Sequence, residues 1–303
     1  MFRTSPGRRA ILGLAVAVAL TTSVAACGSE SGDSTGTGST PAASASADTS
    51  LADKVPADIK AAGKLVIGTD STYAPSEFLD ADGKTVIGFD VDLFNAVAQK
   101  LGLTTEWQSA TFDSIIPGVT SKKYGAGVSS FTINKDRLKQ VTMVSYFNAG
   151  TQWAAKAGAT IDPADACGKK IAVQTSTVQA DDIAARSKKC TDGGKAKITV
   201  DQYQAQSDAT NAVVTGKDDA MLADSPVCAY AVKQTNGQLA LLGDIYDSAP
   251  YGYVLPKDQA DTMAVAVQGA LKALIADGTY KTILAKWGVD AGAITDPTVN
   301  PTV

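Results

Sequence analysis

Apolar residues in this chain follow two different spacings, and the two spacings alternate along it. Compact apolar runs bounded by glycine and polar residues are typical of buried strands. Such runs lie at 64–68, 170–174, 198–200 and 220–223, and a further strand is expected at 104–107. Between them, apolar residues recur every three or four positions, as at Leu93, Val97 and Leu101, which is typical of amphipathic helices. The alternation predicts an α/β fold with mainly parallel sheets.

Local sequence also predicts where helices and long strands lie. One helix is expected to end at Gly102, others to cover 112–119, 178–189 and 204–215, and two more to follow Met263 and Tyr280. Ser225 followed by Pro226 is expected to start a further helix, with serine as the N-cap and proline at the first helical position. Two extended segments, 143–155 and 251–255, are expected to cross between two lobes.

The first 54 residues are expected to lie outside the folded body. Residues 1–27 have the features of an export signal, because three arginines precede an apolar run at 10–20 that is shorter than the roughly 20 residues of a membrane span. The signal ends in VAAC, which resembles the lipobox of bacterial lipoproteins and makes Cys27 the expected site of a diacylglycerol anchor. Residues 28–54 contain no aromatic residue and are expected to form a flexible tether. We therefore expect a protein anchored by lipid at the extracytoplasmic face of a bacterial cell membrane, exported by either the general or the twin-arginine route.

Composition excludes several kinds of chemistry. The chain has no histidine, which removes Ser-His-Asp catalysis, histidine metal sites and histidine proton transfer. It has 31 acidic and 27 basic residues and shows no basic patch, so nucleic acid is not an expected partner. We expect no catalytic residue, no metal and no cofactor.

Three cysteines fall within the expected body. Cys167 precedes the strand at 170–174, and Cys190 follows the helix that comes after this strand. In a βα unit the start of the strand and the end of the helix lie at the same edge of the sheet, so a disulfide between Cys167 and Cys190 is expected in an exported protein. Cys228 is expected to remain a buried free thiol.

Arg137 is the main candidate for contact with a ligand. It ends the polar loop SSFTINKDR at 129–137, and the body otherwise uses lysine except at Arg186. A guanidinium can hold a carboxylate through two parallel hydrogen bonds, which an ammonium cannot do. The alternative is a surface ion pair with Asp136 or another nearby acid.

A set of short motifs runs through the body in a recognisable order. The motifs are YAP at 73–75, GFDVDLFNAVA at 88–98, FDSIIP at 112–117, the loop at 129–137, DGTY at 277–280 and KWG at 286–288. In order and approximate spacing they resemble the family 3 extracellular solute-binding proteins, the amino-acid receptors of ABC importers. The resemblance covers residues 63–288. Within it, Asp90 and Asp92 are expected to be helix-start residues that the helix dipole stabilises, and not ligand contacts.

The resemblance implies a particular architecture. Members of that family have a two-lobed, periplasmic-binding-protein-like fold of type II, in which two hinge strands join the lobes. Lobe 1 would consist of residues 55–150 and 252–303, and lobe 2 of residues 151–251. The ligand would lie between the lobes, beyond the carboxyl ends of the strands.

The resemblance also implies roles for residues of lobe 1. For the carboxylate of an amino acid it implies Arg137 and the hydroxyl of Thr132. Ser129 and Ser130 begin the same loop, and Ser130 is expected to offer backbone groups.

Lobe 2 is expected to contribute the segment at 175–179. This segment joins a strand to a helix N-terminus, where free N–H groups favour an anion. Thr177 and Gln179 are therefore expected to contact the ligand, although Ser176 and Gln179 could also form a capping box. Ser176 and Val178 depart from the family's pattern, so one side-chain contact is expected to be lost.

The remaining ligand groups have their own candidates. For the ammonium the resemblance implies Asp224, whose alternative role is a turn or helix cap. Tyr73 and Phe112 match a pair that sandwiches the ligand, and Asp70 matches a position that can meet a distal nitrogen. An acid beside two aromatic faces suits a cation or an amide, so we expect a basic or polar amino acid.

Together these features predict a lipid-anchored receptor that captures a free L-amino acid, closes on it and delivers it to an ABC permease in the membrane. We expect a monomer and no enzymatic activity. Two alternatives are a small dehydratase of cyclic acids built on the same fold, which the absence of histidine counts against, and an amino-acid sensor for a signalling partner.

Overall fold

The structure is a computed structural model that describes residues 47–303. Its strands are β1 (Lys64–Thr69), β2 (Thr72–Tyr73), β3 (Glu77–Leu79), β4 (Val86–Ile87), β5 (Thr104–Ser109), β6 (Ala126–Gly127), β7 (Thr142–Lys156), β8 (Lys170–Gln174), β9 (Thr199–Tyr203), β10 (Ala220–Asp224) and β11 (Leu239–Leu255). Its α-helices are α1 (Thr49–Ala52), α2 (Ala57–Ala62), α3 (Phe89–Lys100), α4 (Phe112–Thr120), α5 (Lys135–Gln140), α6 (Val178–Asp192), α7 (Gln206–Thr215), α8 (Ser225–Gln234), α9 (Met263–Ala276) and α10 (Thr279–Trp287). Short 3-10 helices lie at Lys257–Gln259 and Asp290–Gly292. Within residues 47–303, no helix has the length and apolar character of a membrane span.

Eight strands form one sheet in the order β5-β1-β6-β11-β7-β10-β8-β9. β1 pairs in parallel with β5 and β6, and β8 pairs in parallel with β9 and β10. The long strands β7 and β11 are antiparallel to each other and connect the two parallel groups. They contain the two segments that were expected to cross between lobes. A small antiparallel sheet, β2-β3-β4, lies apart from the main one.

Helices cover both faces of each half of the sheet. In the half that contains β8 and β10, Ala172 and Met221 pack with α7 and α8, while the adjacent residues Ile171 and Leu222 pack with α6. This alternation arises because successive side chains of a strand point to opposite faces. In the other half, one apolar cluster includes α3, α9 and α10 and a second includes α4. The predicted α/β class is confirmed.

One predicted helix cap is wrong. α8 begins at Ser225, but its N-cap residue is Asp224, and Ser225 and Pro226 already lie in the first turn. Asp224 makes no side-chain hydrogen bond to the helix N-terminus. Its carboxylate is held instead by hydrogen bonds from Tyr73 and Gln179.

The body begins earlier than the expected end of the tether at residue 54. Asp48 caps α1 by accepting from the N–H groups of Ser50 and Leu51, and its own N–H donates to the carbonyl of Lys100 at 2.8 Å. Leu51 packs against the apolar cluster that contains α9. Residues 48–52 therefore belong to the folded body, because Leu51 has apolar surface to bury. The expected export signal at 1–27 and the expected lipidation site Cys27 lie outside the described residues.

The cysteines of the body occupy two different environments. Cys167 and Cys190 form a disulfide whose Cα atoms are 5.7 Å apart. The bond ties the segment before β8 to the last turns of α6, which is the pairing expected from the βα unit. Cys228 is a free thiol buried in α8.

Candidate functional site

A narrow cleft lies where the loops after β1, β6, β8 and β10 meet. These strands are parallel within each half of the sheet, so their carboxyl ends lie at a common edge. The cleft is nearly closed, with a cavity volume of only about 10 Å³, which is close to the minimum that holds one water molecule. It is lined by Tyr73, Phe112, Ser129, Ser130, Thr132, Arg137, Gln174, Thr177, Val178, Gln179 and Asp224.

Arg137 extends into this cleft from the short helix α5. Asn134 caps the helix, and its side-chain oxygen accepts from the backbone N–H of Arg137 at 2.9 Å. The guanidinium Nη1 donates to the carbonyl of Thr132 at 2.7 Å, and Nη2 donates to the carbonyl of Ser176 at 3.2 Å. Neutral carbonyl oxygens therefore fix the guanidinium in place without neutralising its charge.

The guanidinium is buried and has no acidic partner in the part of the chain that the structure describes. The residue is 9% exposed, and none of the ion pairs within residues 47–303 includes it. Asp136, the partner in the alternative interpretation, pairs with Lys139 at 2.6 Å, so that alternative is wrong. Burial lowers the pKa of Arg137 to about 10, and the charge of Asp224 opposes this shift. A buried guanidinium that has lost its hydration and has no opposite charge beside it gains stability when it binds an anion.

Aromatic rings border the guanidinium. Phe112 and Phe131 stack with their ring centres 4.6 Å apart, and the guanidinium carbon of Arg137 lies 5.3 Å from each ring centre. Phe112 starts α4 and lines the cleft, whereas Phe131 is fully buried behind it. One face of Phe112 is thus covered by Phe131.

The N-terminus of α6 forms the opposite wall. Its N-cap is Thr177, whose Oγ1 accepts from the N–H of Ala180 at 3.1 Å and donates to the carbonyl of Gln174 at 2.7 Å. The expected capping box between Ser176 and Gln179 is therefore wrong. Ser176 has a φ of +62°, a left-handed conformation that favours glycine, and its carbonyl faces Arg137.

Asp224 lies at the end of β10, within a network of neutral donors. The hydroxyl of Tyr73 donates to its Oδ2 at 2.7 Å, and Nε2 of Gln179 donates to its Oδ1 at 2.9 Å and to Thr151 Oγ1 at 3.0 Å. Burial raises the pKa of Asp224, while these hydrogen bonds and the charge of Arg137 lower it. Tyr73 is buried beside a carboxylate, which raises the pKa of its hydroxyl well above the ordinary value and keeps it a donor.

Asp70 lies just behind the cleft surface. Its Oδ1 accepts from the hydroxyl of Thr72 at 2.7 Å, and its Oδ2 accepts from the N–H of Phe112 at 3.2 Å and from Nε2 of Gln174 at 2.7 Å. Burial raises the pKa of Asp70, and the hydrogen bonds oppose the increase. The amide of Gln174 therefore separates this carboxylate from the cleft.

Nine of the ten residues expected to contact a ligand line the same cleft, and Asp70 is the one that does not. The sequence interpretation overlooked Gln174 as a lining residue. It is a polar residue at the carboxyl end of a predicted buried strand, which is the signal that could have identified it. Val178 also lines the cleft. It is one of the two residues that depart from the family's pattern, and its side chain has no hydroxyl to offer a ligand.

A further group of residues supports the cleft from behind. Asp90 lies in the first turn of α3, as expected, but its carboxylate is fully buried and accepts from the N–H of Ser130 at 3.2 Å and from the hydroxyl of Tyr146 at 2.6 Å. Asp92, by contrast, accepts from Lys286 at 2.7 Å near the surface. Asp90 is therefore a helix-start residue, as expected, and also a buried acceptor that the sequence interpretation did not include. A position at a helix start does not show whether a carboxylate is buried.

The cleft combines a fixed cation, a carboxylate and neutral donors. Arg137 can accept an anion through its guanidinium, and Asp224 can pair with a cation. Because Arg137 is unpaired within the described residues, a molecule carrying both charges could satisfy each at once. The arrangement offers binding groups for a small zwitterion.

The architecture and the cleft define a two-lobed binding protein of type II, and comparison with known proteins agrees with this class. The sequence profile of the bacterial extracellular solute-binding proteins, family 3, matches residues 65–290. The chain belongs to this family, as the motifs predicted. It is therefore a solute-binding protein of this family, and its named relatives are binding proteins.

Individual relatives cover most of the chain. The arginine-binding protein ArgT of Corynebacterium glutamicum is 36% identical over 249 residues, which is 81% of this chain and 81% of the relative. The L-cystine-binding protein TcyJ of Escherichia coli K12 is 28% identical over 245 residues, 80% of this chain and 87% of the relative. Among solved structures, an ancestral arginine-binding protein bound to arginine matches with a TM-score of 0.68 and 32% identity, covering 74% of this chain and 98% of that one.

Proposed function

We propose that this protein is an extracytoplasmic receptor that binds L-arginine, or a closely similar basic amino acid, between its two lobes and delivers it to an ABC importer. The proposal combines the chemistry of the cleft with the names of the relatives. Each part has its own support.

The placement of Arg137 and Asp224 on one cleft carries the proposal of an amino-acid ligand. The guanidinium is buried, held by two carbonyl oxygens and unpaired within residues 47–303, while Asp224 is buried among donors on the other wall. A ligand carboxylate would supply the missing anion, and a ligand ammonium would replace a neutral donor at Asp224. Both charges belong to every free amino acid.

Asp70 and Gln174 support the choice of a basic side chain. A ligand guanidinium could take the place of the Gln174 amide on Asp70, giving the carboxylate a charged donor instead of a neutral one. Charged hydrogen bonds are roughly twice as strong as neutral ones. The relatives named arginine-binding support the same choice.

We further propose that lobe 1 consists of residues 55–150 and 252–303, and lobe 2 of residues 151–251. Hydrogen bonds between these proposed lobes surround the cleft. Tyr73 donates to Asp224, and the N–H of Gln206 donates to Thr72 Oγ1 at 3.1 Å. A ligand that touches both walls would stabilise the closed arrangement of the lobes.

The anchor and the transport partner complete the proposal. Lipid on Cys27 would hold the receptor at the membrane, and an ABC permease would accept the amino acid. Mature protein recovered from membranes should carry the mass of a diacylglycerol, and Cys27→Ser should shift the protein to the soluble extracytoplasmic fraction. Recovery of Cys27→Ser from membranes in unchanged amount would refute the anchor.

Calorimetry with the purified protein tests the ligand. L-Arginine, L-lysine, L-glutamine and L-cystine should be titrated in parallel, together with agmatine, which has the guanidinium of arginine but no carboxylate. We expect the tightest binding for L-arginine and at least about a thirtyfold loss for agmatine, because agmatine leaves Arg137 without an anion. Tighter binding of L-cystine, or no binding of any of the four amino acids, would contradict the proposal.

A sensor for a signalling partner is the remaining alternative. Uptake of labelled L-arginine by cells with and without the gene separates the two. Loss of uptake that the wild-type gene restores supports transport, and unchanged uptake at limiting arginine would favour the sensor.

A further inference from the structure

Two buried carboxyl groups, Glu77 on β3 and Asp90 on α3, are brought together by a close approach of the backbone. Gly88 precedes α3 with a φ of +141°, and a Cβ atom there would lie only 2.0 Å from the carbonyl oxygen of Ser76. The N–H of Asp90 donates to that same carbonyl at 3.1 Å. Only glycine allows this contact, so the turn into α3 places the Asp90 side chain beside that of Glu77.

Among the described residues, neither carboxyl has a basic partner. Both residues are completely buried, and none of the ion pairs within residues 47–303 includes either one. Glu77 Oε2 and Asp90 Oδ1 have no N–H or hydroxyl donor within reach in the described part of the chain. Ser129 and Ser130, which are adjacent in the chain, bond one to each carboxyl group. The two groups therefore lie beside each other, and a single proton between them could satisfy both of these oxygens.

The outer oxygens of the pair hold two residues of the ligand cleft. Ser129 Oγ donates to Glu77 Oε1 at 3.0 Å and accepts from the N–H of Asp70 at 3.0 Å. Asp90 Oδ2 accepts from the N–H of Ser130 at 3.2 Å and from the hydroxyl of Tyr146. Ser130 has a φ of +49°, which L-residues rarely adopt, so its conformation needs such a partner.

We propose that Glu77 and Asp90 share one proton at neutral pH and act as positioning residues that hold Ser129 and Ser130 in the shape required for ligand binding. Two carboxylates in contact cannot both ionise when they are buried without a cation, because repulsion adds to the cost of desolvation. One proton leaves the pair with a single negative charge. That charge strengthens the hydrogen bonds from Ser130 and Tyr146.

The groups that face the pair favour retention of the proton. The tyrosines Tyr146, Tyr251, Tyr253 and Tyr280 are neutral, and Asp70 is a further acid beside Glu77. Burial, with the charge of Asp90, raises the pKa of Glu77 well above its ordinary value, and burial raises the pKa of Asp90 to about 6. In the unfolded chain both groups would be ionised at neutral pH.

The proton therefore links stability to pH with a definite sign. The folded protein holds one proton that the unfolded chain releases, so stability is lost as pH rises above the ordinary carboxyl range. From this group alone, the unfolding constant should increase by up to about tenfold per pH unit between about pH 6 and pH 8. Glu77→Gln keeps an acceptor for Ser129 and a donor for Asp90 but has no proton to release.

The first test compares chemical unfolding of the wild type, Glu77→Gln and Glu106→Gln across this pH range. Glu106 is a partly exposed glutamate that pairs with Lys64, so its substitution is the same chemical change at a site distant from Glu77 and Asp90. We expect the wild type and Glu106→Gln to share the steep dependence and Glu77→Gln to lose most of it. An infrared band of a protonated carboxyl at neutral pH should also disappear in Glu77→Gln. Equal pH slopes in all three proteins would overturn the shared proton.

The second test concerns positioning, and it rests on the proposed function because it uses L-arginine as the probe. Glu77→Gln should bind L-arginine within about threefold of the wild type, whereas Glu77→Asp, which withdraws the carboxyl by one methylene, should bind about tenfold more weakly. Wild-type affinity in Glu77→Asp would overturn the positioning role. If the wild type itself does not bind L-arginine, the proposed function fails, while the unfolding data still decide whether the proton is shared.

Discussion

Two arginines within residues 47–303 occupy opposite environments, and the contrast separates a binding group from a surface group. Arg186 lies on α6, and its Nε donates to both carboxylate oxygens of Asp182 at 2.9 Å. Its side chain is 29% exposed and lies 4.9 Å from the ring centre of Tyr246. Arg137 is more deeply buried, and its hydrogen-bond acceptors within the same residues are carbonyl oxygens alone.

The difference shows that burial and pairing must be considered together. A surface arginine with an acid one helical turn away needs no further explanation. A buried arginine without an acid has lost its hydration and gained no opposite charge, which costs several kcal/mol in a folded protein. A site that tolerates this cost is a site where an anion is expected to bind.

Removal of Arg137 should have the largest effect on affinity. In Arg137→Ala, we expect the binding free energy for L-arginine to weaken by about 2–5 kcal/mol, because the ligand carboxylate would be buried without a partner. Arg137→Lys keeps the charge but not the two parallel donors, so it should fall between Arg137→Ala and the wild type. Isothermal titration calorimetry measures both.

Agmatine supplies the matched ligand for this prediction. It has no carboxylate, so Arg137→Ala should not weaken its binding further. The loss of affinity caused by Arg137→Ala and the loss caused by replacing L-arginine with agmatine should therefore be strongly non-additive. If Arg137→Ala weakened agmatine and L-arginine by the same factor, Arg137 would not be contacting the carboxylate. Arg186→Ala is the protein control and should leave both affinities unchanged.

Asp224→Asn tests the opposite end of the zwitterion and should have the next largest effect. The amide oxygen can still accept from either Tyr73 or Gln179, but the amide nitrogen cannot accept from the other. The amide also has no charge for the ammonium of the ligand. We expect a loss of about 1.5–3 kcal/mol for every amino acid that binds, the range for hydrogen bonds to charged groups. Unchanged calorimetric affinity would remove Asp224 from the binding site and leave it a local structural role beside Tyr73.

Asp70→Asn should have a smaller and selective effect. Asp70 would meet only the distal nitrogen atoms of the ligand, so we expect L-arginine to weaken by about 1.5 kcal/mol, the lower end of that range. L-Glutamine, which carries no side-chain charge, should change much less. Competition assays with the two ligands measure the difference, and equal weakening of both would contradict a side-chain role.

The sequence predicted the fold well where apolar spacing and short motifs coincide. β8 was predicted at 170–174 and lies at Lys170–Gln174, because a buried strand followed by a turn leaves a clear signal. The second crossing strand was predicted only at 251–255, whereas β11 covers Leu239–Leu255. Its first half is partly exposed and irregularly paired, so it lacks a strand-like apolar pattern.

The cleft was predictable in membership but not in detail. Polar residues that follow strands, such as Arg137 and Asp224, could be identified because parallel strands end at a common edge. The amide of Gln174 in front of Asp70 and the contact between Glu77 and Asp90 depend on tertiary packing between separate elements. No local pattern specifies which of several acids will be buried together.

Arg186→Ala provides the smallest expected effect and completes the contrast with Arg137. The Arg186–Asp182 pair is partly exposed and joins residues one helical turn apart, so its loss should lower the free energy of unfolding by about 0.3–1 kcal/mol. The loss stays small because the hydroxyl of Tyr246 still donates to Asp182 at 2.7 Å, which leaves no unsatisfied carboxylate. Chemical denaturation of Arg186→Ala, Asp182→Ala and the double variant measures the pair. A coupling above about 2 kcal/mol would mean that the Arg186–Asp182 pair behaves as a buried ion pair. The presence of an acidic partner, and not the degree of burial, would then distinguish the two arginines.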